Sequence, residues 1–256
     1  MIKNLQELRK KGEISQEYLA KYLDISRPTL ERIERGERDI TISQAKKLAR
    51  LFELSLEELI SGKSKGKIEV VFEGKDQNQP KEGVEIRISV PQKKLKKFKE
   101  ALLYILEKVG SKPNVGMTVI YKLLYFIDFD YYEKFEEQII GATYIKNHFG
   151  PTPVEFKKIV EMMEEHKELE SIKSKYFDKE QKKYLPLRRA DVSVFSGEEI
   201  KHIDDVLSRF ADRSAKDLSD YSHKDVPWIA AEDGEKIDYE SVFYRTRETS
   251  VREYED

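Results

Sequence analysis

Along residues 2–61 the apolar positions recur at helical spacing in five short blocks separated by turn residues. Ile2, Leu5 and Leu8 open the first block and Gly12 ends it. Ser15 is placed to cap a second helix, with Gln16 at its start and Leu19, Ala20 and Leu23 on one apolar face. Asp24, Ile25 and Ser26 form a polar turn, and Ser26 caps a third helix with Pro28 just inside it, where a missing N–H costs nothing. Leu30 and Ile33 face the core, Arg27, Glu31, Arg32 and Arg35 face out, and Gly36 ends the helix. Thr41, Ile42 and Ser43 cap a fourth helix with Ala45, Leu48, Ala49 and Phe52 inside. Ser55 and Glu58 make a capping box for a fifth, which Gly62 stops.

After a short linker at 62–66 the period changes. Ile68, Val70 and Phe72 alternate with Glu69 and Glu73, and Val84, Ile86, Ile88 and Val90 alternate with Glu85, Arg87 and Ser89, which predicts two strands joined across the polar loop 74–83. A lone hairpin is barely stable in water, so it needs a partner, either the chain's own second domain or the same hairpin of another copy. From Pro91 the helical period returns in Leu95, Phe98, Leu102, Leu103, Ile105 and Leu106, with Lys93, Lys94, Lys96, Lys97 and Lys99 on a solvated face. Val119, Leu123, Leu124, Phe126 and Ile127 mark a strongly apolar central helix from about Met117 to Phe135. Residues 139–146 are strand or loop. A helix starts at Thr152 or Pro153 and carries Val154, Phe156, Ile159, Val160 and Met163. Residues 171–195 form a β-rich excursion (Ile172, Tyr176, Phe177, Tyr184, Leu185, Val192, Val194), Ser196 caps a helix running to Phe210, and one more begins at Ser214. The expected fold is mainly α with an α+β second domain. It comprises a five-helix module at 1–62, a linker with a β-hairpin at 63–97, and a helical domain with a small β element at 98–256.

A length of 256 residues favours two domains. The chain has no cysteine, which excludes disulfides, thiolate zinc sites and cysteine nucleophiles. No apolar run approaches the roughly 20 residues of a membrane helix and the first residues show no secretory segment, so a cytoplasmic protein without a membrane partner is expected. The net charge of −2 conceals an asymmetry. Residues 1–62 hold 12 Lys/Arg against 11 Asp/Glu, residues 63–100 hold 11 against 6, and residues 101–256 hold 24 against 32. The basic surplus thus lies in the first hundred residues, ahead of an acidic domain, as expected for a nucleic-acid-binding front and a differently tasked back.

Residues 15–36 therefore have the form of a helix-turn-helix whose capped, cationic second helix suits the major groove of DNA. The whole of 2–61 resembles the Cro/C1, or Xre-type, helix-turn-helix family in the spacing of Ser15-Gln16-Glu17, Leu19-Ala20, Ile25-Ser26-Arg27 and Ile33-Glu34-Arg35-Gly36. The resemblance implies that Gln16 anchors a phosphate, that Arg27, Pro28 and Arg32 face the bases, and that Thr29, Arg35 and Arg38 lie near the DNA backbone. It also places Glu34 in the module's core with an internal partner. Arg27 and Arg32 can each present a fork to guanine, whereas Pro28 departs from the polar residue usual at its position. Modules of this kind act as dimers on two half-sites, so a homodimer on operator DNA is expected. The alternative is a module that has lost DNA and serves only dimerisation or docking.

Three further motifs occur in order. They are Tyr121-Lys122-Leu123-Leu124-Tyr125-Phe126-Ile127-Asp128, then Gly141-Ala142-Thr143-Tyr144 with Lys146 and Gly150-Pro151-Thr152-Pro153, then Leu218-Ser219 with Ser222-His223, Asp225 and Pro227-Trp228. Over about 98–240 they resemble the Panacea, or SocA-like, domain, which pairs with helix-turn-helix modules in antitoxins of toxin–antitoxin systems. The resemblance implies an antitoxin that binds a cognate toxin protein and regulates its own operon; the toxin's identity does not carry over. Tyr125, Tyr144, Phe149 and Trp228, with Lys146 and His148 beside them, are the candidate toxin contacts, since aromatics anchor interfaces; the plain reading of the same aromatics is core. His223 and Asp225 have the spacing of half a metal or acid–base site, against a loop latch in which Ser222 or Asp225 caps a turn and His223 bonds the backbone. The latch is preferred, and neither catalytic residues, metal nor cofactor are expected. The alternatives to the antitoxin are a repressor with a ligand-sensing second domain and a proteolytic adaptor for a toxin.

Overall fold

The computed structural model describes residues 5–11, 14–52, 56–61, 67–72, 84–177 and 179–252. The chain divides into two compact units, Met1–Lys67 with Asn147–Phe149, and Ile68–Lys146 with Gly150–Asp256. It is mainly α, with small two-stranded sheets.

The first unit is built from α1 (Leu5–Lys11), α2 (Gln16–Leu23), α3 (Arg27–Glu34), α4 (Ile42–Phe52) and α5 (Leu56–Ser61). The two predicted caps form: Ser15 Oγ accepts the N–H of Tyr18 at 3.0 Å, and Ser26 Oγ that of Thr29 at 3.4 Å. Each such cap stabilises its helix by about 1 kcal/mol. Asp24 ends α2 in the left-handed region at φ 58°, which a short polar side chain tolerates and which bends the chain into α3. Leu19, Ala20, Leu23, Leu30, Ile33, Ala45, Leu48, Ala49 and Leu59 close a core with Leu5. Ile2, Gly12, the Ser55 capping box, the linker 62–66 and the loop 74–83 lie outside the described residues.

The second unit takes all but the first residue of β1 (Lys67–Phe72), which pairs with β2 (Val84–Val90). Val70 is buried in the second unit's core and its carbonyl accepts Lys158 Nζ at 2.7 Å, so β1 docks on its own second domain. Then come α6 (Gln92–Val109), α7 (Met117–Phe135), β3 (Tyr144–Asn147), β4 (Gly150–Pro153) and α8 (Phe156–Glu165). The predicted helix start at Thr152 or Pro153 is thus wrong: those residues are strand, and α8 starts at Phe156. The residue before a proline is pushed out of the α region, and both Gly150 and Thr152 precede prolines. Within the β-rich stretch, β5 (Leu169–Tyr176) pairs antiparallel with β6 (Lys179–Pro186), whereas Val192 and Val194 belong to a 3-10 turn. Ser196 and Glu199 form a full capping box on α9 (Gly197–Phe210), Ser214 and Asp217 another on α10 (Ala215–Ser222), and α11 (Val226–Ala230) follows.

The core of this unit surrounds α7, whose Val119, Ile120, Leu123, Leu124, Phe126 and Ile127 are buried. On one side α9 packs against it, with His202 donating its Nε2 proton to the Ile127 carbonyl at 3.2 Å and its ring 5.2 Å from that of Tyr131. Burial, with Lys134 and Arg209 adding to it, pushes the His202 pKa down to about 4. The folded state therefore holds a neutral imidazole, while the unfolded chain takes up a proton below about 6.5. The sign follows: this contribution is complete above pH 6.5 and is lost as pH falls towards 4, by at most about 3 kcal/mol. Burial also raises the carboxyl pKa values of Asp128 and Glu155, which act in the opposite sense, so the informative quantity is a difference between variants. Urea midpoints of the wild type should fall between pH 6.5 and 4.5 more steeply than those of His202→Gln; parallel curves would refute the assignment.

Candidate functional site

The outward face of α3 carries Arg27, Pro28 and Arg32 exposed, with Arg35 and Arg38 exposed just beyond its end. Their footing is Glu34. Its side chain is only 4% exposed, pairs with Arg9 Nε at 2.6 Å, and accepts Gln16 Nε2 at 2.9 Å. The internal partner expected for Glu34 is thus Arg9. Gln16 in turn turns its carbonyl oxygen to the Arg27 guanidinium, 3.3 Å from Nη2 and 3.4 Å from Nε. Arg27 also lies 3.7 Å from Glu31, one turn along. Thr29 is half-buried and its hydroxyl is shared with that of Ser26 at 2.9 Å, so it serves the helix start. The geometry joins Gln16 to Arg27 and leaves the side chains of Arg32, Arg35 and Arg38 projecting into solvent.

In the second unit the three motifs converge around α7. Lys122, Asp128, Asp130 and Glu133 all lie buried on this otherwise apolar helix. Lys122 Nζ donates to the Pro151 carbonyl at 3.0 Å. Asp128 accepts the backbone N–H groups of Ile140 (2.7 Å), Gly141 (3.1 Å) and Ala142 (3.3 Å), and the hydroxyls of Tyr144 (3.2 Å) and Tyr239 (3.0 Å). Burial raises its pKa, and these donors pull the other way by favouring the carboxylate. The carboxylate of Glu155 similarly holds the Thr143 N–H, at 2.9 and 3.0 Å.

Asp130, Glu133 and Asp225 share one cation, Arg245, and all four side chains are essentially inaccessible. Arg245 makes a bidentate pair with Asp225 at 2.9 and 2.6 Å, and its Nη1 reaches Asp130 at 2.8 Å and Glu133 at 2.7 Å. Arg209 supplies a second cation to Asp130 at 2.6 Å, while Ser250 Oγ and the Val251 N–H complete Glu133. Burial works against the Arg245 charge, but Asp130 and Asp225 outweigh it and hold its pKa well above the usual value. Tyr125 donates to Asp225 at 2.8 Å; burial and then the Asp225 charge push its pKa far up.

This arrangement changes several assignments. Tyr125 and Tyr144 are fully buried and their hydroxyls are committed to Asp225 and Asp128, so they present no surface to a partner; they are core. Asp225 is likewise no turn cap, because it stands before α11 without a side-chain cap bond and serves Arg245 instead. Ser222 Oγ donates to the Ser219 carbonyl at 2.9 Å, and a Cβ on Gly150, which sits at φ 97°, would collide with that hydroxyl; this close approach locks β4 to α10. His223 stacks on Trp228 at 4.2 Å, and Lys146 Nζ lies 4.4 Å from the same indole while donating to the Ala231 carbonyl. Trp228 is half-buried and the next residue, Ile229, is 56% exposed. His148 is exposed in the β3–β4 turn and packs edge-on against the half-buried Phe149. Among the described residues no group of three His, Asp or Glu side chains is arranged to hold a metal, and no helix is long and apolar enough to cross a membrane. Sequence reasoning missed Arg245, Glu133, Glu155 and Tyr239; the available signal was the presence of Lys122, Asp128, Asp130 and Glu133 within one apolar helix.

Residues 5–59 match the family model described as Helix-turn-helix, and residues 120–229 match that of Antitoxin SocA-like, Panacea domain. No curated protein and no solved structure matches the chain. The chain is thus similar to a helix-turn-helix over its first part and to the SocA-like antitoxin domain over its second, in that order. Arg245 lies beyond the matched stretch yet neutralises carboxylates within it.

Removing that cation leaves buried carboxylates uncompensated, a change that typically costs about 3–5 kcal/mol. Arg245→Met should therefore lower the unfolding free energy in urea by about that amount, and Asp225→Asn added to it should restore part of the loss. A loss below about 1 kcal/mol for the single variant would show that the cluster does not need its cation.

Proposed function

We propose that this protein is the antitoxin of a toxin–antitoxin module, binding a cognate toxin through the SocA-like domain and repressing its own operon through the helix-turn-helix as a homodimer. The observation that carries this reading is the pairing of the two matched models on one chain. The capped, arginine-bearing α3 supports the DNA half of it. In this reading Gln16, Arg27, Arg32, Arg35 and Arg38 meet the operator, Pro28 reads by contact alone, and Thr29 contributes through its position at the helix start. The protein works in the cytoplasm, where both toxin and operator are found, and performs no catalysis of its own.

For the toxin half, the reading places contacts on the outer residues. Lys146 and Trp228 form one cation–aromatic platform with the exposed Ile229 beside it; His148 and Phe149 are separate candidates. Aromatic anchors flanked by apolar and cationic side chains are what high-energy interface positions are made of.

Co-expression with the adjacent gene is the direct test. The neighbour's product should arrest growth alone, be harmless alongside this protein, and co-purify with it; a harmless neighbour, or arrest that this protein does not relieve, removes the antitoxin reading. Arg32→Ala should cost about 1–3 kcal/mol on the operator at fixed salt. Unchanged operator affinity would take Arg32 off the contact surface.

A further inference from the structure

Three ties seat the end of the chain on the α10–α11 segment and brace an exposed face there. The 3-10 turn Tyr239–Tyr244 packs beside α11. The bidentate pair of Arg245 with Asp225 fixes the end of that turn to the start of α11. Glu248 supplies the other two ties: its carbonyl accepts the Tyr221 hydroxyl at 3.1 Å, and its carboxylate pairs with Lys224. Two large apolar side chains flank the ties and stand in water. Tyr244, next to Arg245, is 78% exposed, and Ile229, one helical turn after Asp225, is 56% exposed. Single exposed apolar residues are ordinary on a protein surface. These two differ in being carried on a braced backbone, so a partner meets them without first having to order the chain beneath.

The rim of the face is acidic. Between residues 228 and 248 the exposed acids are Glu232, Asp233, Glu235, Asp238, Glu240 and Glu248, against Lys236 and Arg247 as exposed cations. Lys146 joins the acidic segment to the apolar face, 3.9 Å from Asp233 and 4.4 Å from the Trp228 indole. Glu240 accepts the Tyr132 hydroxyl and Asp238 caps the turn. Glu232 and Glu235 have no side-chain partner among the described residues. This charge decides what can cover the face. Nucleic acid or an anionic lipid surface would be repelled. A second copy would set the same acids against themselves, because a two-fold interface pairs a patch with its own image. A cationic protein surface suits it in both respects: an apolar anchor covers Ile229 and Tyr244, and Lys or Arg side chains meet the rim.

We infer that the cognate toxin docks on this α11 face with a cationic surface, its apolar anchor seated on Ile229 and Tyr244 and its Lys or Arg side chains facing Glu232 and Glu235. This assignment rests on the antitoxin reading and adds to it the chemistry of the partner.

The test uses the full chain and the purified product of the adjacent gene, with association and dissociation rates read by biolayer interferometry over a series of salt concentrations. Glu232→Lys with Glu235→Lys should slow association roughly tenfold and flatten its fall with added salt. Ile229→Ala with Tyr244→Ala should leave association nearly unchanged and speed dissociation by about tenfold or more. Glu165→Lys with Glu170→Lys makes the same change of net charge on α8 and β5 and should leave both rates unchanged. All of these side chains are exposed, so urea midpoints should stay at the wild-type value. Wild-type rates in both face variants, alongside wild-type relief of growth arrest, overturn the inference and leave the antitoxin reading standing. A wild type that neither binds the product nor relieves arrest removes both. Equal slowing by the α8–β5 variant would also overturn it, by assigning the attraction to net charge rather than to this face. So would loss of self-association in Ile229→Ala with Tyr244→Ala while the toxin rates stay intact, which would give the face to a second copy.

Discussion

Four ionisable side chains buried on α7 dictate the second domain. A charge taken out of water must be met by a partner of the right geometry or it costs several kcal/mol. Each is met by chain that comes later. Lys122 holds Pro151, Asp128 holds the backbone of 140–142 with Tyr144 and Tyr239, Asp130 holds Arg209 and Arg245, and Glu133 holds Arg245, Ser250 and Val251. The helix thereby acts as a jig: its apolar residues supply the driving force for collapse, and its charges decide which later segment docks where. A wholly apolar α7 would bury as much surface and specify less.

The same constraint explains what the motif residues do. Tyr125, Asp128, Gly150, Ser222 and Asp225 come from three separated motifs, and the structure employs all of them in holding the segments together. Asp225, which by its spacing from His223 first looks like half an acid–base site, is instead an occupied acceptor. At the periphery of that frame lie the half-buried Trp228 with Lys146 against it, the exposed Ile229, and the lysine-rich hairpin. Partner specificity can therefore vary on the outside while the buried network stays the same, a division of labour that suits a domain matched to an antitoxin family.

Much of this was legible in the chain because it depends on local chemistry. Ser15, Ser26, Ser196 and Ser214 announce helix starts by side-chain bonds within three residues, and the apolar periods of α3, α7 and α9 set their buried faces. The strand at Gly150–Pro153 was missed because apolar residues continue smoothly into α8, although the two prolines argue for extended chain. The aromatic set was half misplaced for a different reason: composition shows that Tyr125 and Tyr144 are large and amphipathic, but burial depends on Asp128 and Asp225, which reach them across the fold. Arg245 was invisible since no periodicity surrounds it; its role comes from a pairing with residues 20 to 115 positions away.

In the first domain the link between the core and the outward face of α3 is a short chain of hydrogen bonds. Buried Glu34, fixed by Arg9, holds Gln16, and Gln16 holds Arg27. A base-reading arginine that is positioned before DNA arrives loses less side-chain entropy on binding than one free in solution. This matters for a module with only one net positive charge, because the sequence-independent pull of the phosphates scales with the number of cations that meet them. On the proposed operator-binding reading, with that pull weak and Pro28 unable to hydrogen-bond, discrimination falls mainly on Arg27 and Arg32. Of these, Arg27 is oriented by the core, whereas Arg32 projects into solvent. On that reading the two arginines divide the work: Arg27 meets the groove already turned towards Gln16, and Arg32 adapts to it.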